Sequence, residues 1–128
     1  PIMKARRGKL TPPPLRRMPL LMAAMGDMGM RLCAEHADIW HVYGELDKVT
    51  HKCELFRQLC KEVGRDATEV ECSTNYFPDL SHQNGHPDAF LKLGITHIIV
   101  TSFGPKWDLG LLREMLAWRD NIERKTAQ

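Results

Sequence analysis

Four short apolar runs recur along this chain, and each is followed by residues whose apolar positions fall at helical spacing. That alternation constrains the fold more than any single motif. Pro19-Leu20-Leu21-Met22-Ala23-Ala24 has the unbroken apolar character of a strand covered on both faces. Gly26 and Gly29 punctuate its exit, and Met30, Cys33, Ala34 and Ala37 continue at steps of three and four. Ile39-Trp40-His41-Val42-Tyr43 is β-branched and aromatic, ends at Gly44, and predicts a second strand. Leu46, Val49, Cys53, Phe56, Leu59, Cys60 and Val63 form one continuous stripe, the clearest helix in the sequence. Gly64 stands where the end of that helix wants a left-handed residue, with Lys61 in the preceding turn.

Val70, Cys72 and Thr74 alternate with Glu71 and Ser73, which predicts a third strand. A polar, turn-rich loop from Tyr76 to Gly85 comes next. His86-Pro87-Asp88 then starts a helix barely two turns long that Gly94 closes. Ile95–Val100 is a strongly apolar strand, broken only by Thr96 and His97. After it Asp108 is a good N-cap, and Leu109, Leu112, Met115, Leu116 and Arg119 carry the last amphipathic helix. The expected fold class is α/β: four parallel βα units joined by right-handed crossovers. Such units make either a small open sheet or half of a (βα)8 barrel. A barrel takes about 250 residues, and this chain has 128. Residues 1–18 are expected to be a basic, proline-rich extended lead-in, 19–120 the βα units, and 121–128 a polar tail that frays.

With 43% hydrophobic and 27% charged residues, the chain can bury one core. No apolar run approaches the roughly eighteen residues of a membrane span, so no membrane partner is expected. Lys4, Arg6, Arg7, Lys9, Arg16 and Arg17 precede the first acidic residue, Asp27; taking those six from the net +2 leaves −4 for the rest. A basic arm of this kind is able to touch nucleic acid, but no nucleic-acid module follows it, so it is read as a solvated lead-in and no nucleic-acid partner is expected. Cys33, Cys53, Cys60 and Cys72 show no CxxC pairing and are expected as free buried thiols in a reducing, cytoplasmic setting. The sequence opens at Pro1 rather than at a methionine, which fits a segment of something longer.

Chemistry is expected first at Ala24-Met25-Gly26-Asp27-Met28-Gly29, where a strand turns into a helix. The spacing resembles the GxGxxG phosphate fingerprint with alanine in the first place. Glycines let backbone approach a phosphate, and the helix amino terminus offers free N–H donors. Asp27 competes with an anion there unless it caps the helix, and Arg31 is one turn on. Trp40, His41 and Tyr43 stand at the carboxyl end of the second strand, the edge that faces ligands in parallel α/β folds. Trp40 and His41 are candidate pocket wall, and Thr101, Ser102 and Phe103 hold the equivalent place after the last strand. His36, His51, His82 and His86 have no metal-ligand spacing, so no metal site is expected. No nucleophile–base pair can be assembled, and the catalytic residues are unassigned.

Two longer runs resemble a known family. Pro19 to Gly26 followed by Arg31-Leu32-Cys33-Ala34-Glu35-His36-Ala37-Asp38-Ile39-Trp40 is similar to a run of the luciferase-like monooxygenases. Leu59-Cys60-Lys61-Glu62-Val63-Gly64-Arg65-Asp66 is similar to that family's HCxEVGRDP helix end, with Ala67 in place of the proline, and Gly94 to Val100 to its last barrel strand. The resemblance spans roughly residues 18 to 118. It implies a (βα)8 barrel that uses flavin mononucleotide (FMN) or the 8-hydroxy-5-deazaflavin coenzyme, factor 420, and acts on a small molecule. The four strands would be its fifth through eighth, and the turn after the fifth helps hold the cofactor phosphate. Ala24, Met25, Gly26, Asp27, Gly29 and Arg31 would then form the phosphate end. Met25, Asp27 and Met28 are bulkier than the family's residues in this turn.

The resulting expectation is an oxidoreductase half-barrel that needs an N-terminal half for catalysis. Two rivals stand beside it. One is a non-catalytic half-barrel binding module that closes its edges on a second copy. The other is a small doubly wound nucleotide-binding domain with Glu45 or Asp47 on a ribose.

Overall fold

The computed structural model describes residues 12–77, 87–101 and 108–126. Each apolar run becomes a strand and each stripe a helix. In chain order these are β1 (Leu21–Ala23), α1 (Asp27–His36), β2 (Ile39–Val42), α2 (Leu46–Glu62), β3 (Glu71–Tyr76), α3 (Pro87–Lys92), β4 (Ile95–Val100) and α4 (Gly110–Thr126), with a single 3-10 turn at Ala67–Glu69. The loop expected over Tyr76 to Gly85, with His82 and His86, falls largely outside the described residues. So do Lys4, Arg6, Arg7, Lys9, Ser102 and Phe103.

The strands form one parallel sheet in the order β1-β2-β3-β4. Each strand lies beside its predecessor, as successive strands of a (βα)8 barrel do. A doubly wound domain reverses direction at a switch point; this order has none, which overturns that rival. Glu45 and Asp47 instead stand at the start of α2, as N-cap and first-turn residue. A single core joins Met30 and Cys33 of α1, Trp40 and Val42 of β2, and Val49 and Phe56 of α2 with Phe90 of α3 and Ile95 of β4. Helices α1, α2 and α3 contribute to this one core and lie on one side of the sheet.

The α2 stripe is buried at Val49, Cys53, Phe56, Leu59 and Cys60. Asp47 in its first turn and Lys61 in its last complement the helix dipole. Gly64 ends it at φ +74°, a left-handed conformation that favours glycine. Just beyond, Arg65 donates to the Ala34 carbonyl at 3.1 Å and ties the foot of α2 to α1. All four cysteines are free thiols. Burial pushes each of them up, Cys72 to about 12, so none is a ready nucleophile.

Three sequence expectations need correction. The first strand is not covered on both faces: Leu20 is 48% exposed and Leu21 43%. Among the described residues it lies at the sheet edge with β2 as its one strand partner, and Asp38 holds it by accepting the Leu20 N–H at 2.7 Å and pairing with Arg17. The Leu20 amide, then Arg17, holds the Asp38 carboxyl below the ordinary carboxylate range. Next, the last helix does not fray after Asn121 but runs to Thr126. Arg124 donates to the Asp120 carbonyl and the Asn121 side chain, reinforcing that final stretch. Lastly, β3 does not alternate apolar inside with polar outside, because Ser73 is fully buried. The pairing described next explains its burial.

Candidate functional site

The turn from β1 into α1 lies at the carboxyl edge of the sheet. Gly26 is the helix N-cap, extended at φ −88° and ψ 151°, and it supplies no side-chain cap. Its carbonyl accepts the Met30 N–H at 2.8 Å, while first-turn N–H groups ahead of Met30 precede any intrahelical partner. A Cβ added at Gly26 would meet nothing within 4 Å, so the space above this backbone is open. Gly29 has a different job. A Cβ there would stand 2.9 Å from the Ala24 Cβ, so glycine lets the helix close on the strand exit. That is the packing role of the third glycine in the fingerprint.

The remaining members of the turn divide by what they touch. Ala24 and Met25 pack against the core, and the Ala24 carbonyl accepts the Trp40 indole N–H at 2.9 Å. Trp40 is fully buried and stacks on Phe56 at 4.1 Å between ring centroids. Strand alternation turns it toward α2, so it braces the turn from behind and is not the pocket wall expected of it. Arg31 pairs with Glu35 and Glu62 at 3.6 and 3.4 Å, which commits it to carboxylates and not to the turn. A cation beside the turn that the sequence reading missed is Lys52 of α2, whose Nζ is 4.0 Å from the exposed Asp27 carboxylate. Its only signal in the sequence is its place in the second turn of a helix that packs beside α1.

His41 points to the other side of the sheet from Trp40. It pairs in register with Ala23 of β1 and Ser73 of β3, and Ser73 in turn with His97 of β4. The four residues form a row across the four strands, on the face turned away from Trp40. A 2.7 Å hydrogen bond joins His41 Nδ1 to the Ser73 hydroxyl. Burial, and next the proximity of His97, lowers the His41 pKa below its ordinary value, so the imidazole is neutral at pH 7. Tyr43 lies beyond it, with 6.4 Å between ring centroids. His97 reaches this row through a bulge: Cys72 pairs with Ile95, the next residue Ser73 pairs with His97, and Thr96 is the extra residue. Barrel layers are ordinarily filled by branched apolar side chains; here three of four are polar. Ser73 and His97 were not singled out from sequence, although each is the third residue of its strand, as His41 is. Among the described residues, no three His, Cys, Asp or Glu side chains are placed to hold a metal ion.

Comparison with known proteins bears on what this edge is for. A family model described as luciferase-like monooxygenase matches residues 2–82, more than half of the chain. The chain belongs to the luciferase-like monooxygenase family. Among solved structures, one similar to this family member is the coenzyme factor 420-dependent tetrahydromethanopterin reductase from Methanopyrus kandleri. The two share 20% identity with a TM-score of 0.41, and the match covers 45% of this chain and 17% of the reductase. No curated protein matches the chain. Among the described residues, no helix is long and apolar enough to cross a membrane.

Proposed function

We propose that this chain supplies the cofactor phosphate-binding side of a luciferase-like oxidoreductase, whose barrel closes on an N-terminal half. The observation that carries the reading is the open, uncapped amino end of α1 at Gly26, on the carboxyl edge of the sheet with Lys52 beside it. The donors ahead of Met30 and the Lys52 ammonium suit a phosphate monoester, the group that distinguishes FMN from riboflavin. The α1 dipole favours the same charge. Asp27 opposes it, and its carboxylate turns outward, 86% exposed, to meet Lys52. Gly29 keeps α1 close against β1, and Trp40 holds the Ala24 carbonyl, so the turn is fixed before any ligand arrives. The ring of a flavin or deazaflavin, the electron carrier when bound, would lie toward the His41–Ser73–His97 row, whose polar groups orient it by hydrogen bonds. The substrate is a small molecule.

The test compares FMN with riboflavin by fluorescence titration of the chain. FMN should bind about tenfold more tightly. Lys52→Gln should remove most of that margin and Asp27→Asn should widen it. Equal affinity for the two flavins refutes the phosphate reading.

A second reading rests on a different observation. The edge at Leu20 and Leu21 is apolar and exposed, and unpaired edges seek partners. Here two copies close on each other as a non-catalytic binding module. Sedimentation of a concentration series distinguishes them: a dimer without flavin affinity favours the second.

A further inference from the structure

At the opposite end of the sheet from the phosphate turn lies a recess of about 530 Å³, within the range of small-molecule pockets. It opens where α2, the Ala67–Glu69 turn and the amino ends of β3 and β4 meet. Cys53, Ala67 and Gly94 border it, small residues at positions where a bulkier side chain would fill the gap between helix and sheet. The buried Phe56 and Val70 and the half-buried Leu93 give it an apolar wall.

The rim decides what fits. Two of its four charged residues are neutralised, Asp38 by Arg17 and Glu69 by Arg65. The other two are opposite in sign, and each holds only an uncharged group. Arg57 donates to the Leu93 carbonyl, and Glu71 accepts the Thr96 hydroxyl at 3.3 Å. Among the described residues neither has an ion-pair partner, and they do not pair with each other. They nevertheless stand close together. Cys72 pairs with Ile95, so Glu71 and Gly94, the residues just before them on parallel strands, lie side by side at the amino edge. The Arg57 guanidinium lies over that same glycine, 3.8 Å from where a Cβ would be. A cation at this rim is drawn to Glu71 and repelled by Arg57, and an anion meets the reverse. A ligand that carries both charges gains from each.

We propose that this recess is a second binding site, for a free apolar α-amino acid in its zwitterionic form. The carboxylate sits on Arg57, whose guanidinium keeps donors to spare beyond the one on Leu93. The ammonium sits on Glu71, and the side chain on Phe56, Val70 and Leu93. The site is independent of the flavin reading, since it shares no residue with the phosphate turn or the histidine row and lies at the amino edge.

Phenylalanine is the probe, because each of its charges can be removed in turn: phenethylammonium lacks the carboxylate and 3-phenylpropionate lacks the ammonium. Amide chemical shifts of the unmodified chain follow each titration at pH 7. Shifts should centre on Arg57, Glu71 and Gly94, with phenylalanine bound about tenfold more tightly than either control. Removing the rim charges should act reciprocally. Glu71→Gln should bring phenylalanine within about twofold of 3-phenylpropionate, and Arg57→Gln within about twofold of phenethylammonium. The three-ligand comparison on the unmodified chain needs neither variant to fold. Phenylalanine bound no more tightly than the better control, shifts centred elsewhere, or a folded variant that weakens all three ligands alike overturns the proposal.

Discussion

Replacing Gly29 by alanine isolates how tightly α1 seats on the sheet. The new Cβ would stand 2.9 Å from the Ala24 Cβ, short of ordinary carbon contact by about 0.6–1.1 Å. Neither side yields readily. The Ala24 carbonyl is held by the indole of a fully buried Trp40, and α1 is anchored one residue on by the buried Met30. Overpacking of this kind costs about 1–3 kcal/mol. Alanine returns about 1 kcal/mol through its better helix propensity. The net expectation is a loss of about 1 kcal/mol, or roughly 3–5 °C in melting temperature for a chain of this size. Urea unfolding measures it. The decisive arm is a double-mutant cycle with Ala24→Gly, which removes the opposing methyl. The two substitutions should couple by about 1 kcal/mol or more, the pair being more stable than additivity allows. A Gly29→Ala variant that is stabilised, with no coupling to position 24, would refute the reasoning.

Other outcomes follow from the same geometry. Trp40→Phe keeps a ring on Phe56 but leaves the Ala24 carbonyl without its indole donor, at a cost of about 1–3 kcal/mol by denaturant titration. His41 has a folded pKa below its ordinary 6.5, so the unfolded chain takes up its proton first as pH falls. Its contribution is therefore present above pH 6.5 and lost as pH drops from there through the folded value; unfolding titrations of His41→Asn should show a flatter pH dependence than wild type. Asp38→Asn should loosen the sheet edge, read as faster hydrogen exchange at Leu21–Ala23 with little change in β3.

The secondary structure was legible because apolar periodicity separates strands from helices. The α2 stripe from Leu46 to Val63 and the unbroken run of Ile95–Val100 each carry their own period. Strand order was not so written. Sequence left a doubly wound sheet open, and only the sequential pairing excluded it. The site was half legible. Gly26 and Gly29 stood out by spacing, yet spacing could not show that one opens space while the other permits contact. Trp40 looked like pocket wall because strand ends face ligands, but alternation sends it toward α2 and its neighbour His41 to the opposite side. Arg31 looked available because its partner Glu62 is far away in sequence. Lys52 was invisible for the same reason, since its nearness to Asp27 depends on how two helices dock.

The bulge at Thr96 has an evolutionary consequence. The lateral alignment of His41, Ser73 and His97 depends on strand register as well as on residue type, because the bulge that leaves Thr96 unpaired sets His97 opposite Ser73. Regular pairing of the two strands, with Thr96 opposite Ser73, would place His97 level with Thr74 and break the row. Relatives that share this row should therefore be sought by strand register as well as by residue identity. A column-by-column count of shared histidines would place side by side chains that no longer have the same chemistry.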